Sequence, residues 1–547
     1  MILNNPLLAR ELRSALRSPL AFGLAALYLG VLATLVWWMW PQEGVFSVTA
    51  RASRSILLVC GVAQLLLVIL YAPAFASTAI TAEKERNTYD LLFATLLRPR
   101  DIVAGKLLAS IVVLLLFVLL SLPVFGACFL LGAVSVREAA AIYLITAASS
   151  MTFGLLGLSV SAVARSSQTA LVSTYVLLLV ANAGPWVPYF LLGNKPWAAE
   201  IIHQACAFSP LGAMASVILP SFEPAGAWRT YLFACAAASA GMVLFVLGRV
   251  HWAGQRSSRA HGRTLEDARE LTRRKLRFPF YLIDPMRRKD NIPDWLNPMF
   301  AKELRSQAFG GGRWVFRVAA SCFGLSMLMM IGVVGNLVGP TPNLIRSVSL
   351  VFQLGLIVLI VPSLTAGAIT QERERGSLEL LRLSRLGPWS FLVGKLGVAL
   401  VFVVFLLLGA LPGWHAIYYL EINTKLEIIE AWKVIGTTIL FALATGLFAS
   451  AVSPRTAVAT ALAYAITLLA AIVTLLPLLA ADQLSARLRE SILVLNPFVS
   501  SLQALTRGVF DDLAVLGPRH MELSLGAAGV FFAIAFLRLR WLLLPQK

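Results

Sequence analysis

The chain is poor in what a soluble enzyme uses. Only 13% of its 547 residues are charged, where soluble domains carry about a quarter. Its five cysteines, Cys60, Cys128, Cys206, Cys235 and Cys322, are scattered, form no C-x-x-C and lie mostly in apolar runs. That excludes a disulfide framework or zinc ribbon and reads them as small buried apolar residues. The histidines (His203, His251, His261, His415, His520) are equally dispersed. There is no H-E-x-x-H and no G-x-x-x-x-G-K-[ST], so neither a zinc-protease helix nor a phosphate-cradling loop is present. The acidic pair Asp511–Asp512 has no neighbouring ligands and reads as a solvated loop. With no catalytic set, no metal site and no cofactor site on the chain, an enzyme is not expected.

What the chain has is apolar length. Hydrophobic residues make up 59% of it, and a membrane span needs about 20 of them in a run. Runs near 20–40, 55–79, 107–133, 138–163, 169–192 and 228–249 meet that length in the first half. Those near 314–338, 348–370, 391–420, 433–453, 456–480 and 522–544 meet it in the second. The expected fold is an all-α integral membrane protein of about 12 transmembrane helices. The 391–420 run is too long for one straight span and is expected to tilt or protrude. The net charge of +19 fits cytoplasmic loops under the positive-inside bias better than nucleic-acid binding.

The chain is written twice. "ITAEKERNTYDLLFATLLRPRDIVAGKL" starts at Ile80, and "ITQERERGSLELLRLSRLGPWSFLVGKL" starts at Ile369. A shift of 289 pairs Glu83 with Glu372, Glu85 with Glu374, Arg86 with Arg375, Pro99 with Pro388 and Lys106 with Lys395. It also pairs Gly157 with Gly446, Ser161 with Ser450 and Tyr175 with Tyr464. Matched charges and prolines do not arise by chance from apolar composition, so the halves are repeats. The starts match at a slightly different shift, "NPLLARELRS" from Asn5 and "NPMFAKELRS" from Asn297. Asn can cap a helix and Pro suits its first position. Leu8, Leu12 and Leu16 form one stripe against Arg10, Arg13 and Arg17, with Glu11 in the same helix. Phe300, Leu304 and Ala308 repeat the stripe against Lys302 and Arg305, with Glu303. Each predicts an amphipathic helix lying in the membrane interface. A removed signal peptide does not account for residues 1–40, because the run is long enough to span and its twin sits mid-chain.

The domains expected are therefore 1–250 and 296–547, joined by a basic linker over 251–295 that holds a short helix near 264–276. Cytoplasmic termini, linker and charged passages are mutually consistent. They give each half six spans and relate the halves as parallel repeats about an axis along the membrane normal. The spans are nearly free of ionisable groups. Arg229, Arg317 and Lys395 sit near span ends, and His415 falls toward the end of its own. An ion-coupled secondary transporter of about 12 spans is the alternative reading, but its relay needs intramembrane acids or histidines. A membrane enzyme has no residues to carry it.

The charged passages have two readings: solvated connectors, or duplicated surfaces that dock on something itself duplicated. In either, Leu91, Leu92, Leu380 and Leu381 can face the membrane-embedded body. The passages resemble the E-[KR]-E-[RK]-G-[TS]-x-E-L-L…P…[IL]-x-x-G-K stretch of ABC type-2 exporter permeases. The N-terminal helix and the order of interface helix, two spans, charged loop and four spans are similar to that family too. So are "SPLGAM" at Ser209 and "NPFVSSLQAL" at Asn496, which resemble its extracellular element before the sixth span. The chain departs from the pattern at Asn87, where the family and Gly376 have Gly, and in fusing two permease domains. The resemblance implies a permease subunit of an exporter in the cytoplasmic (inner) membrane. ATP and Mg would bind a separate ABC ATPase, two copies of which would dock on Glu83, Lys84, Glu85 and Arg86 and on Glu372, Arg373, Glu374 and Arg375. The exported substrate is not legible.

Gln64 and Gln353 are also related by 289, as are Pro73 and Pro362 nine residues after each. An amide in hydrocarbon needs partners and should face the protein interior, and each Pro should free a carbonyl and bend its helix. Either the glutamines pack helices together, or they face each other across the pseudo-two-fold axis and line a route between the halves.

Overall fold

Proline opens eight of the described helices, at Pro6, Pro19, Pro99, Pro210, Pro298, Pro342, Pro388 and Pro497. The first turn of a helix has no use for the missing N–H, so these residues start helices without weakening them. The computed structural model describes residues 6–17, 19–40, 50–85, 88, 99–130, 135–164, 166–186, 188–189, 199–219, 226–257, 296–306, 319–324, 326–327, 330, 342–384, 386–420, 425–479, 484–505, 510 and 513–543. Among them there is no strand.

The first half runs α1 (Pro6–Leu16), α2 (Pro19–Met39), α3 (Ala50–Ala76), α4 (Thr81–Glu85), α5 (Pro99–Leu120), α6 (Leu122–Leu130), α7 (Val136–Val163), α8 (Ser167–Ala183), α9 (Ala199–Ala207), α10 (Pro210–Ile218) and α11 (Ala227–Ser257). The second runs α12 (Pro298–Ser306), α13 (Pro342–Ala366), α14 (Thr370–Glu374), α15 (Ser377–Leu383), α16 (Pro388–Leu420), α17 (Lys425–Val452), α18 (Thr456–Ala471), α19 (Ala486–Leu493), α20 (Pro497–Leu505) and α21 (Gly517–Leu543). Eleven of the described helices are long and apolar enough to cross a membrane, six in the first half and five in the second. The expected span at 314–338 falls largely outside the described residues. So do Arg86, Asn87, Leu91, Leu92, Asp511–Asp512, Ala308, Arg317 and the 264–276 linker helix.

In each half the fourth span is central. α7 packs on α3 and α11, and α17 packs on α13 and α21. The halves meet along their second and fifth spans, with α18 against α3 and α8, and α8 against α13. Four of the cysteines, Cys60, Cys206, Cys235 and Cys322, are buried and in no disulfide. The long 391–420 run is one continuous helix, α16, of 33 residues with Pro412 inside it. At 1.5 Å per residue it reaches about 50 Å, well beyond a hydrocarbon core of about 30 Å. The first half instead breaks at Ser121, between α5 and α6. Ahead of the sixth span, α9 and α10 meet at 101°, and α19 and α20 occupy the same place in the second half. Asn496 builds the second corner. Its Oδ1 accepts from the N–H groups of Phe498 (2.8 Å) and Val499 (3.1 Å), and its Nδ2 donates to the Ala471 carbonyl at 2.9 Å.

Candidate functional site: a duplicated charged junction

Each charged passage begins where the second span stops. α3 ends at Ala76 and α13 at Ala366, and a turn leads into the short helices α4 and α14. Such a break leaves backbone N–H groups without helical partners. Ser161 Oγ, on the fourth span, accepts from Ile80 N and Thr81 N at 3.0 Å each. Ser450 Oγ accepts from Ile369 N (2.9 Å) and Thr370 N (3.1 Å). One turn earlier a glycine lets the two spans close up. A Cβ on Gly157 would sit 3.1 Å from Ser77 N, and one on Gly446 would sit 2.1 Å from Thr365 Oγ1 and 2.5 Å from the Pro362 carbonyl.

Three stretches that are separate in sequence converge on this break. Glu83 meets Arg10 Nη2 of α1 at 3.2 Å and Lys106 Nζ of α5 at 3.3 Å, and Lys106 also reaches Glu11 at 3.3 Å. Glu372 meets Lys302 Nζ of α12 at 2.9 Å and Lys395 Nζ of α16 at 3.0 Å, and Lys395 reaches Glu303 at 2.8 Å. Each quartet has two cations and two anions, so the buried charge balances. A hydroxyl completes it: Thr88 Oγ1 donates to Glu83, and Ser377 Oγ to Glu372. The second quartet is the drier. Lys395, Glu303 and Glu372 have 5%, 7% and 4% of their side-chain surface exposed, whereas Glu11 keeps 28% and Arg10 61%. Hydrogen bonding to Glu11 raises the Arg10 pKa above its ordinary value.

The amphipathic helices reach this point by packing on the third span. Leu7 and Leu8 are buried and Arg10 and Arg13 exposed on α1, which lies on α5. Leu16, on the same apolar stripe, is exposed near the end of its helix. Asn297 caps α12, accepting from Met299 N at 2.9 Å. Gly394, beside Lys395, clears its path, since a Cβ there would sit 2.7 Å from Met299 Cβ and 2.9 Å from Phe300 N. Arg305 lies on α12.

Lys84 and Glu85, and likewise Arg373 and Glu374, bond to the ends of neighbouring spans. Lys84 Nζ donates to the carbonyls of Ser161 (3.2 Å), Ala162 (2.8 Å) and Ala164 (3.0 Å), closing the C-terminus of α7. Arg373 Nη1 donates to the Ser453 carbonyl at 3.1 Å, closing α17. Glu85 accepts from Ser167 N at 2.7 Å and Ser167 Oγ at 2.6 Å, at the start of α8. Glu374 accepts from Thr456 N at 2.9 Å and Thr456 Oγ1 at 2.7 Å, at the start of α18. A cation at a helix C-terminus and an anion at an N-terminus each complement the helix dipole. Each passage thus joins α1 or α12 and spans two to five of its half.

What faces outward follows Gly376. Its φ of +69° is a left-handed turn that glycine adopts at little cost, and it rephases α15. Leu378 is buried, Leu381 packs toward α21, and Arg382 Nε donates to the Leu542 carbonyl at 2.7 Å. On the other side Arg375, Glu379, Leu380 (69% exposed) and Leu383 (86% exposed) are open. The expectation that Leu380 faces the membrane body is thereby corrected. Only Leu381 of that pair does, because residues three apart share a helix face and adjacent ones do not.

Two family models bear on this arrangement, each described as ABC-2 family transporter protein. One matches residues 10–203 and the other residues 339–537. The chain belongs to the ABC-2 transporter family. It is a multi-pass permease with two such domains in one chain. No curated protein matches it.

In this permease Tyr175 meets Tyr464 across the seam between the halves, ring centroids 4.5 Å apart. Each hydroxyl turns back to its own half, Tyr175 to the Leu70 carbonyl at 2.5 Å and Tyr464 to the Leu359 carbonyl. Those carbonyls lie in the turns just before Pro73 and Pro362, where a proline loosens the helical ladder. Gln64 and Gln353 each bond within their own half. Gln64 Nε2 donates to Ser121 Oγ at 2.8 Å and Gln353 Oε1 accepts from Trp414 Nε1, each partner on the third-span segment of the same half. Both amides are buried and join helices within a half.

Sequence reading paired the tyrosines but gave them no role, since nothing in a one-dimensional repeat marks which residue lies on the axis. It also missed Arg346, buried at the start of α13 with Nη1 3.9 Å from Glu427 and 3.4 Å from the Leu505 carbonyl. Arg346 falls two residues outside the expected span, where snorkelling to the surface is the ordinary expectation.

Proposed function

We propose that this permease is the membrane-spanning part of an ATP-driven exporter in the cytoplasmic membrane, worked by a separate ABC ATPase. Its domains are 1–250 and 296–547 with 251–295 as a cytoplasmic linker, and both termini are cytoplasmic. ATP and Mg bind the partner, and two ATPase copies engage the two charged junctions. The single observation that carries the reading is the duplicated junction, in which a charge quartet ties each passage to the interface helix and third span while its other side chains and backbone bond to the fourth and fifth spans. A push on such a passage moves the spans as a unit, which is what an external motor needs.

On this reading the buried acids transmit force rather than touch the motor. Contact falls to the exposed face of Arg375, Glu379, Leu380 and Leu383 beside Gly376, an apolar centre with a charged rim as interfaces have. The test is capture from native membranes with the full chain as bait, identifying an ATPase with a phosphate-binding loop by mass spectrometry. L380S with L383S should cut capture about tenfold and leave the unfolding midpoint of the permease unchanged. Equal capture refutes docking on this face. Capture of no ATPase by the unaltered chain refutes the exporter reading.

A further inference from the structure

The repeat makes nearly every feature of the junctions appear twice, and one set of contacts between the halves breaks that rule. Gln168, the second residue of α8, donates from Nε2 to the Ser363 carbonyl of α13 at 2.5 Å. Its Oε1 accepts from Gln371 Nε2 of α14 at 2.7 Å. Gln371 adjoins Glu372 of the second quartet, and Gln168 adjoins Ser167, which Glu85 of the first passage caps. The two amides therefore connect one charged junction to the other across the seam. Room for them comes from Gly367, where a Cβ would sit 2.7 Å from Gln371 Nε2.

The 289 shift carries Gln168 to Ala457, Gln371 to Ala82, Ser363 to Ala74 and Gly367 to Thr78. These twins cannot rebuild the contact. The two alanines replacing the glutamines lack the amides, and Thr78 puts a branched side chain where Gly367 leaves space. The ion quartets, serine clamps, helix caps and tyrosine bonds all recur, so this difference is not a general drift of one half from the other. Tyr175 lies seven residues further along α8, about 10 Å deeper. A seam opening from the junction end must release Gln168 before the tyrosine rings part.

We propose that Gln168 and Gln371 are a one-sided latch on the seam, and that the second half's passage alone holds and releases it. Both are positioning residues, acting through the helices that carry them. The halves are then mechanically unequal: displacing α14 pulls directly on α8 of the other half, while displacing α4 pulls on nothing across the seam through this contact. The proposal takes its purpose from the permease reading, but its test uses neither ATPase nor transport, so its failure leaves that reading standing.

The test uses the full chain in lipid nanodiscs with S363C as reporter, at a side chain 1% exposed, and a small methanethiosulfonate reagent. Rates are taken relative to the protein without the reporter. Q168M and Q371M keep the side-chain volume and remove the amides. Q371M loses one hydrogen bond and should raise labelling about fivefold, the usual worth of one such bond. Q168M loses both and should raise it further, with Q371M adding nothing in the Q168M background. A82S, at the twin position, and Q204M, at an exposed amide bonded to Glu200, should leave the rate unchanged. If S363C perturbs folding, hydrogen exchange over 361–368 in the reporter-free variants reads the same opening. An unchanged rate or exchange in Q168M overturns the latch, as do additive effects of the two changes, and a rise in A82S equal to that in Q371M overturns its one-sidedness.

Discussion

Replacing Lys395 by Met is the most direct probe of the junction. Lys395 is 5% exposed, with Glu303 at 2.8 Å and Glu372 at 3.0 Å, both nearly as buried. Methionine fills much of the same volume, so the change deletes the charge rather than the packing. Glu372 keeps Lys302, but Lys302 is half exposed and its pull is weakened by solvent. Breaking a buried pair by removing one partner costs about 3–5 kcal/mol, mostly the penalty of the stranded charge. Lys106 holds its partners at a longer 3.3 Å, and Arg10 also reaches Glu11 and Glu83. K106M should therefore cost less, about 1.5–3 kcal/mol, the range for hydrogen bonds to charged groups. The reference is K433M. Lys433 pairs with Glu430 at 2.6 Å, closer than any ion pair in the quartets, yet both are about half exposed, and exposed pairs are worth about 0–1 kcal/mol. Equilibrium unfolding in mixed SDS and maltoside micelles, followed by tryptophan fluorescence, ranks the three. The order expected is K395M, K106M, K433M in decreasing loss. K395M together with E303Q and E372Q should recover part of that loss, because the stranded charges go with the cation. If K395M costs no more than K433M, burial does not govern these pairs and the account of the junction fails.

Gly446→Ala forces a Cβ to within 2.1 Å of Thr365 Oγ1 and 2.5 Å of the Pro362 carbonyl, so little folded protein should be recovered by size exclusion. Gly436→Ala, on the same helix with nothing within 4 Å, should be neutral or stabilising by up to about 1 kcal/mol. Tyr464→Phe keeps the ring contact with Tyr175 and removes the hydrogen bond to the Leu359 carbonyl, at a cost of about 0.5–1.5 kcal/mol in the same unfolding assay. Tyr175→Phe should match it through Leu70, and a cost in only one of the two would break the symmetry read at the seam.

Much of this permease is legible in its sequence. Span length follows from the thickness of hydrocarbon, helix starts from Asn-Pro and proline chemistry, and the duplication from charges and prolines that apolar drift does not conserve in phase. Those are local or one-dimensional properties, and every described span falls where its apolar run does. The charged passage was equally visible, yet its letters did not say which way each side chain turns. Glu83 and Glu372 could serve as contact residues or as buried ion-pair centres on the same sequence. Only the arrival of α1 and α5 puts cations from 73 and 23 positions away against Glu83, and only that of α12 and α16 puts cations from 70 and 23 positions away against Glu372. Gln64 and Gln353 show the same limit. Their burial followed from the cost of an amide in hydrocarbon, but their partners depended on which helix the fold sets beside them. The axis, with Tyr175 on Tyr464 and Gln168 joined to Gln371, was beyond reading from the repeat. A repeat states that two segments are alike, and packing alone decides which of their residues touch and where the likeness fails.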